Sequence, residues 1–173
     1  RRLPRQVEQR LELRRIHSHS YQQHLHHKGS KMTLAERALE IATAALGTPF
    51  LHQGRVAGRG LDCAGLYVHI CRELGLPHED AKGYPRNPYD GQLEKQLDAQ
   101  PCLERIADAD PGDILAMRIS KQPQHIGIHA GYIDGHPYII HASEEHGGTV
   151  MHRLDELWKA RIMRVYRFKE VAV

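Results

Sequence analysis

Apolar residues recur at helical spacing before Asp110-Pro111-Gly112-Asp113 and at every second position after it, and this switch limits the fold more than any other feature of the chain. Asp-Pro-Gly-Asp is itself a turn signal. Beyond it, 125–132 alternates strongly and 114–119 weakly, 138–143 and 149–154 are short apolar runs, and a helix near 155–162 precedes a last strand at 164–168. Before it, Thr33 and Glu36 have the spacing of a capping box. Leu34, Ala38, Ile41 and Ala45 share one helical face, and Gly47 with Pro49 ends the helix. Pro77, Pro85 and Pro88, together with Tyr84 and Tyr89, predict an irregular excursion over 77–90 that can line a substrate cleft or simply connect two elements. A helix over 90–99 follows. Helices first and a strand meander second predict an α+β domain built on an antiparallel sheet.

A chain of 173 residues is long enough for one domain with a proper core. No apolar run approaches the roughly 18 residues of a membrane span, so no transmembrane segment is expected, and no signal peptide is visible. The charge is uneven. Residues 1–31 hold eight Lys and Arg against two Glu, with five of the fourteen histidines, leaving 16 basic and 19 acidic residues in 32–173. The first stretch reads as a basic, His-rich tail that is disordered or non-native, and 32–173 as the folded domain. No basic face with interleaved aromatics occurs in that domain, so no nucleic-acid partner is expected. Cys63, Cys71 and Cys102 are odd in number and lack CxxC spacing, which argues against a disulfide framework or a zinc ribbon.

Cys63 differs from the other two by position. In the stretch 58–75, Gly58 and Gly60 precede Asp62, apolar residues recur at Leu66, Ile70 and Leu74, and Gly75 stands where a helix stops. Cys63 therefore opens a predicted helix, where free backbone N–H groups and the helix dipole favour a thiolate. A thiolate needs a base, and the strand HIGIHAGY offers one: Ile126, Ile128 and Ala130 share one face, and His125, Gly127 and His129 the other, the face expected to line a cleft. His141, on the next strand, is the third polar group that fixes a base's tautomer. It shares the face of His125 only if the hairpin closes through an odd loop or a bulge, because a two-residue turn alone would send it to the core side. A zinc site of Cys63, His125, His129 and His141 is disfavoured, since residues four apart on a strand are around 13 Å apart. No metal or other cofactor is required.

The segments GTPFLHQG, GLDCAGL, PGDIL, HIGIHAGY and IIHAS occur in this order, and together they resemble the NlpC/p60 cell-wall cysteine peptidases, particularly the phage-tail or prophage-encoded branch. The resemblance implies a papain-like α+β fold with the cysteine helix on an antiparallel sheet. It implies Cys63 as nucleophile, His125 as general base and acid, and His141 as the orienting residue, with Asp62, Phe50 and His52 as substrate-binding candidates. The implied partners are peptidoglycan stem peptides, cut between γ-D-glutamate and a diamino acid, and other phage tail-tip proteins. The implied location is a phage tail, or the periplasm and cell wall to which such a particle delivers. Members commonly carry a tyrosine where this chain has Phe50, so a hydroxyl is missing there unless a group such as His52 replaces it. Two other readings remain open on the residues: a Cys-dependent amidase or acyltransferase, and a tail-assembly or wall-binding protein that has lost catalysis. Glu144 and Glu145 and the basic set Arg153, Lys159 and Arg161 read as a solvated face.

Overall fold

The computed structural model describes residues 31–88 and 90–170. The tail expected over 1–31 lies almost wholly outside the described residues, and so does Tyr89.

The first helix, α1 (Leu34–Ala44), begins as its sequence requires. Thr33 Oγ1 accepts from the Glu36 N–H at 3.2 Å, and Glu36 Oε2 accepts from the Thr33 N–H at 2.7 Å. Ala38 and Ala42 are fully buried, and their small side chains let α1 lie close against the second long helix, α2 (Cys63–Leu74). Between them the chain makes a two-stranded hairpin of β1 (Arg55–Val56) and β2 (Gly60–Leu61). Gly75, with φ at 68°, stops α2 in the left-handed conformation that a glycine adopts without strain. The proline-rich stretch is irregular, as expected. The helix that follows it, α3, is shorter than predicted and covers Gln92–Asp98.

The remaining strands are β3 (Leu103–Ile106), β4 (Ile114–Arg118), β5 (Pro123–Ile133), β6 (His136–Ser143), β7 (Gly148–Arg153) and β8 (Ile162–Phe168), with a single turn of helix, α4 (Glu156–Lys159), before the last. They form one antiparallel sheet in the order β3-β8-β4-β5-β6-β7. Helices α1 and α2 cover one face, where Leu66, Ile70, Ile114, Ile128, Ile140 and Tyr166 form the main core. Each such side chain, fully buried, contributes about 1.5–3 kcal/mol relative to exposure. The opposite face holds a smaller cluster of Leu115, Met117, Ile139, Leu154 and Val165 under Trp158. The weak alternation of 114–119 follows from this arrangement: β4 is buried on both faces, so apolar residues occupy nearly every position.

The turn before β4 is pinned by charge. Arg167 grips buried Asp113 with Nε at 2.9 Å and Nη2 at 2.7 Å, and Asp113 Oδ2 also accepts from the Asp110 N–H. Gly112, with φ at 94°, passes so close to α1 that a Cβ would lie 2.4 Å from the Ala35 carbonyl oxygen. Both features explain the PGD segment as a backbone crossing rather than as part of a site.

The hairpin between β5 and β6 meets the condition set by the sequence. Its turn has two residues, Asp134 and Gly135, both with positive φ, and Ile133 faces His136. In unbroken register Ile128 would face His141. Instead the register shifts at Ala130, between His129 and Gly131, so Ile128 faces Ile140. The bulge moves His141 off the core face and onto the face of His125.

Candidate active site

The cleft lies where the start of α2 meets β5 and β6, has a volume of about 390 Å³, and is lined by Cys63, His125 and His141. Cys63 is the first residue of α2, and Asp62 caps the helix by accepting from the Gly65 N–H at 2.8 Å. Gly65 is the close contact that fixes this geometry: a Cβ there would lie 1.9 Å from the Gly54 carbonyl oxygen. Only glycine admits the loop across the first turn of the helix.

Asp62 itself is buried and engaged by protein groups. Its carboxylate accepts from the Gln53 N–H at 2.7 Å, the Tyr84 hydroxyl at 2.7 Å and Arg55 Nη1 at 3.2 Å, besides Gly65. Arg55 is held in turn by Asp80. The expectation of Asp62 as a substrate contact therefore meets a carboxylate already surrounded by donors. His52 stands beside it, with Nδ1 3.8 Å from Asp62 Oδ2 and its ring edge-on to Tyr84, while Phe50 lines the cleft. Tyr84 comes from the irregular 77–88 stretch and brings a hydroxyl into a site where Phe50 supplies none.

The thiol differs from expectation. Burial pushes the Cys63 thiol up to about 11 and the Asp62 charge adds to this, outweighing the backbone N–H groups of Ile126, Ala64 and Cys63, which favour the thiolate. A helix N-terminus lowers a thiol pKa when it acts alone. Here desolvation of the half-buried thiol opposes that effect, and the Asp62 charge acts in the same sense as the desolvation.

His125 and His141 are brought into contact. His125 Nε2 lies 2.7 Å from His141 Nδ1, the two rings being diagonal neighbours on one face of the β5–β6 pair. Burial holds His125 down at about 4, with the charge of Arg161 acting in the same sense, and burial holds His141 down at about 2. Both rings are neutral near pH 7. His129, by contrast, does not line the cleft: it is buried, and its Nδ1 accepts from the Gly131 N–H at the bulge.

Sequence reasoning missed five contributors. His152 on β7 continues the row of rings, with Nε2 2.8 Å from His141 Nε2. Trp158 packs edge-on to His141 with ring centroids 5.0 Å apart, and Arg161, read as solvated, lies 4.6 Å over the Trp158 ring and lines the cleft. Glu144 and Glu145 line it too, and Glu144 pairs with Arg86 across the opening. The only signal in the sequence was the parity of His152 within its strand, which has meaning once the β6–β7 register is known.

Among the described residues, no helix is long and apolar enough to cross a membrane and no group of three or more His, Cys, Asp or Glu side chains is arranged to hold a metal ion. No curated protein sequence matches the chain. Among solved structures, a lipoprotein-like protein of the NLP/P60 family from Staphylococcus aureus has a TM-score of 0.57 at 17% identity, over 87% of this chain and 47% of that one. The chain thus spans about half the length of that protein. The NlpC/p60 domain of the peptidoglycan hydrolase SagA has a TM-score of 0.49 at 17% identity, over 78% of this chain and 98% of that one. The sequence pattern of the NlpC/P60 family runs through residues 47–167 and takes in Cys63, His125 and His141; with the same fold in the Staphylococcus aureus protein, the chain belongs to the NlpC/P60 family.

Proposed function

We propose that this chain is a cysteine peptidase that cleaves peptidoglycan stem peptides between γ-D-glutamate and a diamino acid, with Cys63 as nucleophile, His125 as base and acid, and His141 orienting His125. The observation that carries the reading is a cysteine opening a helix in the same cleft as a histidine pair bonded at 2.7 Å. Family membership supports it, and the resemblance of the motifs supplies the substrate and the further reading of delivery to the wall by a phage tail.

The mechanism follows from two neutral partners. As Sγ attacks the amide carbonyl, His125 Nδ1 takes the thiol proton, the carbon–sulfur bond forms, and the carbonyl electrons move onto oxygen. Collapse expels the amine, which takes the proton from His125, and leaves a thioester. Water, deprotonated by the same nitrogen, then hydrolyses the thioester and restores the thiol. Backbone N–H groups at the start of α2 are the nearest donors for the oxyanion.

Activity should rise as pH climbs through about 4, where His125 loses its proton, and fall above about 11, where the Cys63 thiol no longer has a proton to pass to the amine. The test is digestion of diaminopimelate-containing muropeptides with products identified by mass spectrometry, comparing the intact protein with Cys63→Ala. Cleavage after γ-D-glutamate that vanishes in the variant is the expected result. A second reading, a wall-binding protein of weak catalysis, draws on the raised thiol and on Phe50. Wall binding without cleavage by the intact protein would favour it.

A further inference from the structure

Three histidines, one on each of β5, β6 and β7, stand in single file, and the far end of the file touches a group that can only accept. His152 Nδ1 lies 2.8 Å from the backbone carbonyl oxygen of Arg153. A carbonyl has no proton to give, so this bond requires Nδ1–H on His152. In a neutral ring Nε2 is then an acceptor, and the 2.8 Å contact to His141 requires Nε2–H on His141. His141 Nδ1 is therefore an acceptor in its turn, and the 2.7 Å contact to His125 requires Nε2–H on His125. The only lone pair left over is His125 Nδ1, the nitrogen that a nucleophile's proton needs.

We propose that His152 is a positioning residue that, anchored on the Arg153 carbonyl and acting through His141, fixes the tautomer of His125 with Nδ1 unprotonated. Without His152, His141 Nε2–H loses its acceptor and the ring is free to turn over its tautomer. Nδ1–H on His141 then faces His125 Nε2, which must become the acceptor, and the proton moves to the nitrogen where it blocks the base.

The surroundings fit a directed chain. His146 stacks on His152 with centroids 5.4 Å apart, but its Nδ1 lies 2.8 Å from Ser143 Oγ, so it stands outside the file. Trp158 covers both His141 and His152. The charges that face the rings are Asp62 and Arg161 at His125, and Asp155 and Glu145 toward His152. Burial keeps His125, His141 and His152 below their ordinary range, so neutral rings are the state to be ordered.

This inference rests on the peptidase reading only for its consequence, and its test does not need activity. Long-range nitrogen–proton spectra of the full chain with labelled histidine, at pH 7, report each ring's tautomer directly. The expected pattern is Nε2–H on His125 and His141 and Nδ1–H on His152. In His152→Phe, which keeps an aromatic ring against Trp158, the His141 and His125 signals should move to mixed tautomers. In His152→Gln, whose Oε1 reaches the place of the ring Nε2, they should return. Wild-type Nδ1–H on His125, or His125 and His141 signals unchanged in His152→Phe, overturns the proposal whatever the activity. If muropeptide cleavage is present, kcat should fall about tenfold in His152→Phe with KM unchanged and recover in His152→Gln. That is well short of the roughly 10⁴-fold cost of a wrong tautomer in a serine triad. The expected spectra without cleavage leave the tautomer assignment standing and the peptidase reading refuted.

Discussion

Two polar constructions flank Cys63, and they are built on opposite plans. Around Asp62, donors from four places in the chain converge on one carboxylate: Gln53, Arg55, Gly65 and Tyr84. Behind His125, the ring nitrogens are bonded in a line, each ring to the next, until the Arg153 carbonyl ends the row. A hub is redundant at its rim and vulnerable at its centre. A line carries direction, because every link must donate one way, and it is vulnerable at every link. In the proposed mechanism the hub holds the backbone that places sulfur, and the line sets which atom of the base faces it.

Cutting the line should cost the most function for the least structure. His141→Phe removes both contacts of the middle ring while keeping an aromatic in the space under Trp158. We expect kcat to fall by up to roughly 10⁴-fold, with the urea midpoint changed far less than the rate; a rate loss that merely tracks unfolding would erase the distinction. Removing the centre of the hub should do the reverse. Asp62→Ala leaves Arg55 its bond to Asp80 but strips the acceptor from the Gln53 and Gly65 N–H groups and the Tyr84 hydroxyl, and each buried donor left unsatisfied costs about 1–3 kcal/mol. Urea denaturation should show that loss, and with it disordering of the loop before α2.

Acid addresses the line without mutation. The folded pKa values of His125 and His141, about 4 and about 2, lie below the ordinary 6.5, so the unfolded chain takes up protons first as pH falls. Their contribution to stability is present above about pH 6.5 and is lost on the way down to about 4 and about 2, at up to about 1.4 kcal/mol per pH unit for fully buried His141. Thermal melts between pH 7 and 4 should show the decline, and His141→Phe should flatten it. The smallest effect belongs to the rim of the hub. Tyr84→Phe removes one donor of several and should cost about 1 kcal/mol or a little more, since the acceptor is charged. A larger loss in cleavage than in stability would mean that the hydroxyl serves the substrate as well as Asp62.

Much of this arrangement is legible in the sequence, and the rest fails for reasons that can be named. Thr33 with Glu36, and Asp62 with Gly75, mark helix ends through local chemistry. The alternation about Ile126 and Ile128 marks a strand through one buried face. The need for an odd loop or a bulge before His141 follows from parity alone, and Ala130 supplies the bulge. By contrast β3 is four residues long with Glu104 and Arg105 at its centre, and it is a strand only because β8 pairs with it. His152 is similarly mute, since its partner is chosen by the β6–β7 register and not by anything nearby in the chain. Tyr84 reaches Asp62 from 22 residues away. The thiol misleads for a different reason: the helix end that favours its ionisation is visible locally, while the burial that opposes it belongs to the whole fold.

The single extra residue at Ala130 also bears on how this domain can change over generations. Deleting Ala130 would leave Ile133 facing His136 and Ile128 facing Ile140, so the bulge would vanish and His141 would stay on the face of His125. Smoothing the bulge at full length would instead bring Ile128 opposite His141, carrying that histidine into the core and setting Ala142 opposite Gly127 in its place. A lineage can thus lose this one codon and keep the two histidines together, whereas straightening the strand without losing it takes the pair apart.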